Sequence, residues 1–488
     1  MRPETAGGGE PRSATSGNDE PSSGHGPESD STIVRGAWVL TMGPQGAIRD
    51  GAVAFDGDGA ITAIGDPAEL IATNPGAEVV GDGNGVVLPG LVNAHTHLTE
   101  GLITGMGETA ILWEWFERVV NPCGLNITRD EVALGTRLKV VEMLEAGVTT
   151  VNDMSCHRNL GSLASLGAVD GLSELGMRGV VCFGAENLYP EAPAPEVFMA
   201  EHEALADRIA PEELISFRAG VGTVLGISEA LFEQTVAACA EHGWAVHTHL
   251  AEVREEVTDS RIKHGCGTIE YSDRMGLLEH DVIGGHCIWC TEKDIGLMVS
   301  RDVAVAHNPI ANMILASGVC PVPRLQREGL RIGIGTDGAA SNDSQDMLGA
   351  IKTAALLQKV HALDPVAMTA PEVLGMATIG GAKALGLEKS IGSLEPGKRA
   401  DVLLMDGNGP ELAILHDPFQ QVVYGATPRS VSDVWVDGER RVTGSATIGI
   451  DRAALAAEAR TAAADLAVRG KMTGESAYAG PLDFEDRD

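Results

Sequence analysis

The sequence is poor in basic residues relative to acidic ones. Its 488 residues include 35 Lys and Arg against 69 Asp and Glu, which gives a formal net charge of −34. Nucleic acids and anionic membranes are bound through clustered Lys and Arg, so this balance argues against both as partners. The net charge does not restrict a small substrate, because the field inside a site need not follow the charge of the whole chain.

Long apolar segments are also missing. No run of about 18 apolar residues occurs, so a membrane-spanning helix is not predicted. The N-terminal segment is rich in Gly, Ser, Pro and Glu, and it lacks the apolar stretch of a secretory signal peptide. Its composition is typical of a disordered tail. We therefore expect a cytoplasmic protein.

The cysteines form no disulfide framework. The eight Cys are scattered along the chain, which is typical of reduced thiols in the cytosol. Cys287 and Cys290 have CxxC spacing, but no second Cys or His pair follows at the spacing of a structural zinc site. A zinc site of the cytidine-deaminase type is excluded as well, because Asn126 follows Pro122-Cys123 where that motif needs a second Cys.

The chain does contain a long alternation of strand and helix patterns. With 44 % hydrophobic residues it can bury a sizeable core. Apolar runs such as Val86–Ala94 alternate with segments of helical spacing such as Val132–Leu144 and Phe232–Glu241. This alternation predicts a parallel sheet with crossover helices, and about eight such units close into a (β/α)8 barrel of the TIM type, in the α/β class.

Short β-rich runs flank this region at both ends of the chain. Gly51–Phe55 lies on the N-terminal side, and Ala400–Met405 and Val431–Val436 lie on the C-terminal side. We expect them to form one small β-sandwich domain from both chain ends. The predicted organisation is a disordered tail at 1–32, a composite β domain at 33–88 and 388–446, the barrel at 89–387, and a C-terminal helix and tail at 447–488.

Polar residues end many of the apolar runs. In a barrel of this kind, reactive residues lie at the C-terminal ends of the strands. The first run ends in His95-Thr96-His97, whose imidazoles point to the same face of a strand. Later runs end in His247-Thr248-His249, His286, His307-Asn308 and Asp337. So many polar groups at buried strand ends are costly unless they converge on a ligand or an ion.

These same segments resemble the amidohydrolase superfamily. The segments are PGLVNAHTH (89–97), HLAE (249–252), GHC (285–287), HNP (307–309), GTDGAASND (335–343) and IGSLEPGKRAD (391–401). The similarity runs from about residue 33 to 445. Within the superfamily, the chain is similar to the branch that contains S-adenosylhomocysteine and methylthioadenosine deaminases together with s-triazine hydrolases such as atrazine chlorohydrolase and melamine deaminase.

The resemblance implies one divalent metal ion. Its ligands would be His95, His97, His249 and Asp337. Three imidazoles and one carboxylate leave room for a water, as a catalytic metal requires. Zn²⁺ suits these ligands best, and Fe²⁺ and Mn²⁺ use the same ligand types. Binuclear relatives bridge two ions with a modified Lys on the fourth strand, whereas region 214–224 contains no Lys, so a single ion is expected.

Catalytic roles also follow from the resemblance. The ion supplies hydroxide from its bound water, and Asp337 takes the proton of that water and passes it to the departing amine. Glu252 protonates the ring nitrogen next to the attacked carbon. His286 orients the hydroxide and stabilises the tetrahedral intermediate. His247 shares a face with His249, but only His249 has an acid three positions on, so His249 is the expected ligand.

A planar heterocyclic substrate needs an aromatic wall. Trp113 and Trp115 follow the first strand and share few faces, so one of them is expected to stack on the substrate, and the resemblance favours Trp115. The other residues expected at the substrate are His157, after the second strand, Arg178 and Asn308.

The chain departs from the nucleoside deaminases at two positions. Those enzymes have an acidic residue where this chain has Trp113, and a His after the fourth strand where it has Gly222-Thr223-Val224. The predicted function is hydrolytic deamination of a small aminated N-heterocycle of pterin, purine, pyrimidine or triazine type. Two alternatives stay open: an s-triazine-type hydrolase that displaces chloride or alkylamine, and a deaminase of adenosine derivatives. The expected partners are this small substrate and further copies of the chain in a dimer or larger homo-oligomer.

Overall fold

A computed structural model describes residues 31–472. The predicted N-terminal tail lies outside the described residues up to residue 30, and so does the last part of the predicted C-terminal tail, 473–488. The helices are α1 (Pro67–Thr73), α2 (Leu112–Trp115), α3 (Asn121–Asn126), α4 (Arg129–Glu145), α5 (Ser165–Leu175), α6 (Pro195–Ile209), α7 (Glu229–His242), α8 (Arg254–His264), α9 (Thr268–Arg274), α10 (Glu292–Ser300), α11 (Pro309–Ile314), α12 (Val322–Arg327), α13 (Met347–Ala362), α14 (Ala370–Gly375), α15 (Gly381–Leu385), α16 (Pro418–Gly425) and α17 (Arg452–Gly470). Between residues 31 and 472, no helix has the length and apolar character that a membrane crossing requires.

The strands fall into three groups along the chain. The first group is β1 (Thr32–Leu40), β2 (Ala47–Phe55), β3 (Ile61–Gly65), β4 (Glu78–Val80) and β5 (Val86–Pro89). The second group is β6 (Leu91–Thr96), β7 (Val148–Ser155), β8 (Arg178–Ala185), β9 (Ile215–Phe217), β10 (Ala219–Thr223), β11 (Val246–Leu250), β12 (Val282–His286), β13 (Ala304–His307) and β14 (Ile332–Ile334). The third group is β15 (Val402–Met405), β16 (Val431–Val436), β17 (Glu439–Thr443) and β18 (Ala446–Thr447).

The second group forms the barrel. Its parallel order is β6-β7-β8-β10-β11-β12-β13-β14, and β9 pairs beside β8. Every residue of β7 and β8 is buried, as expected for a parallel sheet covered on both faces. The gap between β14 and β6 is bridged where the Asp337 N–H donates to the His95 carbonyl oxygen at 3.0 Å. The predicted (β/α)8 architecture is confirmed.

The first and third groups form a second sheet. Its order is β18-β17-β16-β15-β5-β1-β2-β3, and β4 pairs with β1. The two ends of the chain meet where β5 and β15 pair in antiparallel orientation. The predicted small β unit built from both ends is therefore confirmed, and its exact domain boundaries stay a prediction.

One predicted strand is divided in the structure. The run Val86–Ala94 reads as a single strand in the sequence, but β5 belongs to the second sheet and β6 to the barrel. The chain passes between the sheets at Gly90, whose N–H donates to the Asp401 carbonyl oxygen at 2.9 Å. A Cβ at Gly90 would lie 2.2 Å from the Thr149 side chain, so only glycine fits at this crossing.

A buried ion pair joins the barrel to the second sheet. Arg178, the first residue of β8, donates to both carboxylate oxygens of Asp401 at 3.0 and 3.2 Å and to Asp437 at 2.8 Å. The Asp401 side chain is only 2 % exposed. Removing one partner of such a pair leaves an uncompensated charge in a buried position.

We expect Asp401→Asn to lower the free energy of unfolding by roughly 3 kcal/mol, the lower end for a broken buried pair, because Asp437 still faces Arg178. Urea denaturation followed by circular dichroism measures the change. Asp50→Asn is the matched control, since its pair with Arg49 is 83 % and 77 % exposed and such pairs contribute less than about 1 kcal/mol. Equal losses in the two variants would contradict the structural role of Arg178.

Candidate metal centre

Four predicted ligand residues converge at the C-terminal ends of the barrel strands. His95 is the last residue but one of β6 and His97 directly follows that strand, His249 lies in β11, and Asp337 follows β14. The Nε2 atoms of His95 and His97 lie 3.3 and 3.4 Å from Asp337 Oδ1. His249 Nε2 lies 3.3 Å from His97 Nε2. All four residues are buried, so their donor atoms face a common point inside the protein.

The backbone fixes the orientation of two of these imidazoles. His97 Nδ1–H donates to the Met154 carbonyl oxygen at 2.7 Å, and His249 Nδ1–H donates to the Gly222 carbonyl oxygen at 2.8 Å. Because a carbonyl oxygen can only accept, each Nδ1 carries the proton and each Nε2 presents its lone pair to the centre. This arrangement is typical of histidine ligands to metals.

His95 is oriented differently, by a second histidine. His247 Nε2 lies 2.7 Å from His95 Nδ1, so His247 sits behind His95. The Nε2 atom of His95 is buried without a hydrogen-bond partner in the described part of the chain. Such an orphaned atom is costly, and a metal ion would satisfy it. The donor set therefore fits a divalent ion.

The charge states also suit a metal. Burial lowers the pKa of His95 to about 4 and lowers those of His247 and His249 well below the ordinary value. These imidazoles are therefore neutral, the form that binds metal. Burial acts to raise the pKa of Asp337, but its contacts with His95 and His97 hold that pKa well below the ordinary value. Asp337 is therefore an ionised carboxylate.

Glu252 and His286 lie beside this cluster. His286 Nε2 is 3.7 Å from Glu252 Oε2 and 3.7 Å from Asp337 Oδ2. The other ring nitrogen of His286 is 2.8 Å from Asn312 Oδ1, and Ser317 Oγ donates to Glu252 Oε1 at 3.3 Å. Burial raises the pKa of Glu252, so this carboxyl group stays protonated to higher pH than an exposed one.

A cavity of about 690 Å³ opens above the cluster. One wall is apolar and is formed by Leu112, Trp115 and Phe116. Trp115 is held by its indole Nε1–H, which donates to the Ala340 carbonyl oxygen at 3.1 Å. Trp113 lines a neighbouring cavity of about 670 Å³ instead. The helical segment that carries this wall contains a π turn at Phe116–Val120, a feature often found near functional sites.

The structure brings some of the other predicted substrate residues to this cavity. His157 lines it, with its Nε2 3.0 Å from Glu201 Oε1. Asn308 lies behind His286, its Nδ2 3.4 Å from both ring nitrogens, and is not part of the lining. Arg178 is not brought to the site, because it begins β8 while the cavity lies beyond the other end of that strand. The expectation that Arg178 contacts the substrate is corrected by this position.

Polar residues that the sequence analysis did not single out also line the cavity. They include Glu100, Arg158, Glu186 and Thr223. Glu186 directly follows the last residue of β8, and Arg158 lies three residues beyond β7. Both residues follow the C-terminal end of a barrel strand, where the reactive residues of this fold lie. Their positions in the sequence could therefore have identified them as candidates, although they belong to no family motif.

The sequence of this chain is similar to the sequences of known proteins. The amidohydrolase family model matches residues 86–441. A 5-methylthioadenosine/S-adenosylhomocysteine deaminase of Desulforudis audaxviator is 36 % identical over 427 residues, which are 86 % of this chain and 95 % of the relative. A 5'-deoxyadenosine deaminase of Methanopyrus kandleri is 34 % identical over 401 residues, 82 % of this chain and 91 % of the relative.

The fold of this chain is also similar to the folds of solved structures. An adenosine deaminase from Xanthomonas campestris with bound zinc has a TM-score of 0.84 and 32 % identity, covering 90 % of this chain and 99 % of its own. An atrazine chlorohydrolase from Arthrobacter aurescens complexed with zinc has a TM-score of 0.80 over 88 % of this chain and 100 % of its own. At 23 % identity, this second similarity supports the fold alone.

Proposed function

Because this chain belongs to the amidohydrolase family, as its motifs predicted, we propose that it is a metal-dependent hydrolase that deaminates an aminated N-heterocycle. The observation that carries the proposal is the convergence of His95, His97, His249 and Asp337 at the floor of a cavity that also presents Glu252 and His286. The relatives named above are deaminases of adenosine derivatives. Among the heterocycles, we therefore place an aminopurine ring first.

We propose that these three histidines and Asp337 hold one divalent ion, Zn²⁺ before Fe²⁺ or Mn²⁺. The single ion is supported by two groups of convergent donors that share His95. Zinc is supported by the zinc-bound adenosine deaminase. A divalent ion held by these residues would lower the pKa of a water towards neutrality and so supply the nucleophile.

The residues of the chain supply the proton transfers. The ionised Asp337 accepts the proton of the attacking water and returns it to the departing amine, which leaves as ammonia. Glu252, whose pKa is raised by burial, donates a proton to the ring nitrogen and so makes the neighbouring carbon electrophilic. His286 lies within 3.7 Å of both carboxylates, where it stabilises the oxygen that develops negative charge. Trp115 forms a flat wall on which the heterocycle stacks.

The test is ammonia release from the purified enzyme across aminated purines, pterins, pyrimidines, triazines and adenosine derivatives. Release from one class supports the proposal and names the ring. If metal-loaded enzyme released no ammonia from any compound of the panel, deamination would be contradicted and other leaving groups would have to be tested.

We also propose a cytoplasmic location, which is supported by the eight unpaired cysteines. The homo-oligomer expected from the resemblance is tested by light scattering.

Removal of the metal is expected to abolish ammonia release and to leave the fold intact. The reason is that the ion provides the nucleophile, whereas the barrel is held by its own strands and core. Dialysis against a chelator, followed by elemental analysis and circular dichroism, measures both effects. Adding back about one equivalent of Zn²⁺ per chain should restore the rate, as a site for a single ion requires. Full activity in metal-free protein would refute the metal centre.

A further inference from the structure

One end of the active-site cavity is polar and is not explained by deamination of the ring. It is formed by Arg158, Glu186 and Thr223, which we call the polar end. These residues line both the cavity of the metal centre and the neighbouring cavity of about 670 Å³. They therefore lie where the two cavities meet. The junction is open to a group attached to a heterocycle that is bound above the metal centre.

Glu186 sits in a recess that two glycines leave open. Thr223 Oγ1 donates to Glu186 Oε1 at 2.8 Å. A Cβ at Gly226 would lie 2.4 Å from the same oxygen, and a Cβ at Gly222 would lie 2.6 Å from Glu186 Cγ. Any larger residue at either position would displace the carboxylate. The recess is therefore shaped to hold Glu186 in one position.

The loops that carry Glu186 and Thr223 are tied together. The N–H groups of Asn187 and Leu188 both donate to the Gly226 carbonyl oxygen at 2.9 Å. Ser228 N–H donates to Asn187 Oδ1 at 2.7 Å, and Asn187 Nδ2 donates back to Ser228 Oγ at 2.9 Å. A carboxylate fixed in this way is preorganised for binding, because its ordering is complete before a ligand arrives.

Arg158 faces Glu186 across a short gap. Its guanidinium nitrogen lies 3.7 Å from Glu186 Oε2, farther than a hydrogen bond, and each side chain is 20 % exposed. The guanidinium is positioned 4.6 Å from the centre of the Tyr189 ring. The gap thus presents acceptor oxygens on one side and N–H donors on the other, at the wall of a cavity. A ligand group that both donates and accepts hydrogen bonds matches this arrangement.

Hydroxyl groups of a sugar meet that requirement. A hydroxyl donates to the carboxylate and accepts from the guanidinium, and a vicinal diol does so at two points. A phosphate group is disfavoured, because it would meet the charge of the Glu186 carboxylate at the polar end. A free base bound above the metal centre would leave the polar end without ligand partners.

We propose that Glu186 and Arg158 bind the sugar hydroxyls of a nucleoside, so that the substrate is a nucleoside and neither a free base nor a nucleotide. This inference rests on the proposed deaminase function and specifies its substrate. It reverses the preference for a small free heterocycle that the sequence indicated. That preference rested on the absence of an acid at Trp113, whereas the structure supplies an acid from the loop after a different strand.

The kinetic experiment compares an aminopurine base, its ribonucleoside, the 2',3'-dideoxynucleoside and the 5'-phosphate. In wild type, kcat/KM for the ribonucleoside should exceed each of the other three by at least about 10-fold. Glu186→Gln should lower kcat/KM for the ribonucleoside by about 10- to 100-fold, the value of hydrogen bonds to a charged group. The loss should fall mainly on KM, and the rates for the free base and the dideoxynucleoside should stay within about twofold. Arg158→Met should show the same pattern, and Glu203→Gln, an exposed change on α6, should show none.

A binding measurement separates this inference from the proposed function. Purine riboside has no amino group to lose, so calorimetry of its binding does not depend on deamination. Weaker binding in Glu186→Gln, with binding of the free purine unchanged, supports the sugar site even if no ammonia is released. Equal loss for base and riboside would assign Glu186 a purely structural role and overturn the inference. A requirement for a zwitterionic 5' substituent, with no effect of removing the hydroxyls, would overturn it too, by assigning the pair to an amino-acid group.

Discussion

Asp337→Asn is expected to lower the rate of ammonia release by at least about 10³- to 10⁴-fold. An amide at this position cannot accept the proton of the attacking water. It also removes the negative charge that lies 3.3 and 3.4 Å from the Nε2 atoms of His95 and His97. Bound metal should therefore fall together with the rate.

Single-turnover ammonia release and elemental analysis on the same samples measure the two effects. Asp259→Asn is the matched control, because this exposed aspartate lies on α8 away from the cavity, and it should leave both values unchanged. A variant at Asp337 that keeps more than about a tenth of the wild-type rate would show that another group takes the proton of the water, since general-base catalysis alone contributes 10²- to 10⁴-fold.

Glu252→Gln is expected to lower kcat by about 10²- to 10⁴-fold while the metal content stays at the wild-type level. Glutamine has nearly the same shape and can still accept the Ser317 hydroxyl, which lies 3.3 Å from the carboxyl group in the wild type. It cannot deliver a proton to the ring nitrogen. A loss of rate without a loss of metal would separate this acid from the metal ligands.

Glu255→Gln is the control, because Glu255 is exposed and lies on α8, which begins two residues after Glu252. The pH profile adds a second measurement. An acid must be protonated to act, so the wild-type rate should fall as the pH rises through the pKa of Glu252, which burial places above its ordinary value of 4.5. The residual rate of Glu252→Gln should lack that decline. An unchanged profile would mean that a different group donates the proton.

The residues at the ends of the strands show how much of the site could be predicted from the sequence. Alternating apolar runs and helical segments predicted the barrel, and the similarity of its motifs predicted the family. Both are confirmed by the sheet order and by the comparisons. The predicted metal ligands are adjacent in the structure, and their roles as ligands stay a proposal. Strands, helices and motifs are local features of the sequence. The meeting of the ligand residues follows from the fold, because the C-terminal end of every parallel strand faces the same side of the barrel.

Contacts between segments that are far apart in the chain could not be predicted from the sequence. Arg178 looked like a substrate residue, but it binds Asp401, which comes from the other end of the chain. The split of Val86–Ala94 depends on the second sheet, whose strand β15 pairs with β5. Neither periodicity nor motif encodes such a partner, because each arises only when segments far apart in the chain are packed together.

The sequence by itself determined the fold class, the enzyme family and the residues at the ends of the strands. The tertiary structure alone decided which of those residues share a cavity. Glu186 and Arg158 follow different strands and belong to no motif, and they face each other only because β7 and β8 are neighbours in the closed barrel. The physical reason is that strand pattern is set by nearby residues, whereas the distance between two loops is set by closure of the whole sheet.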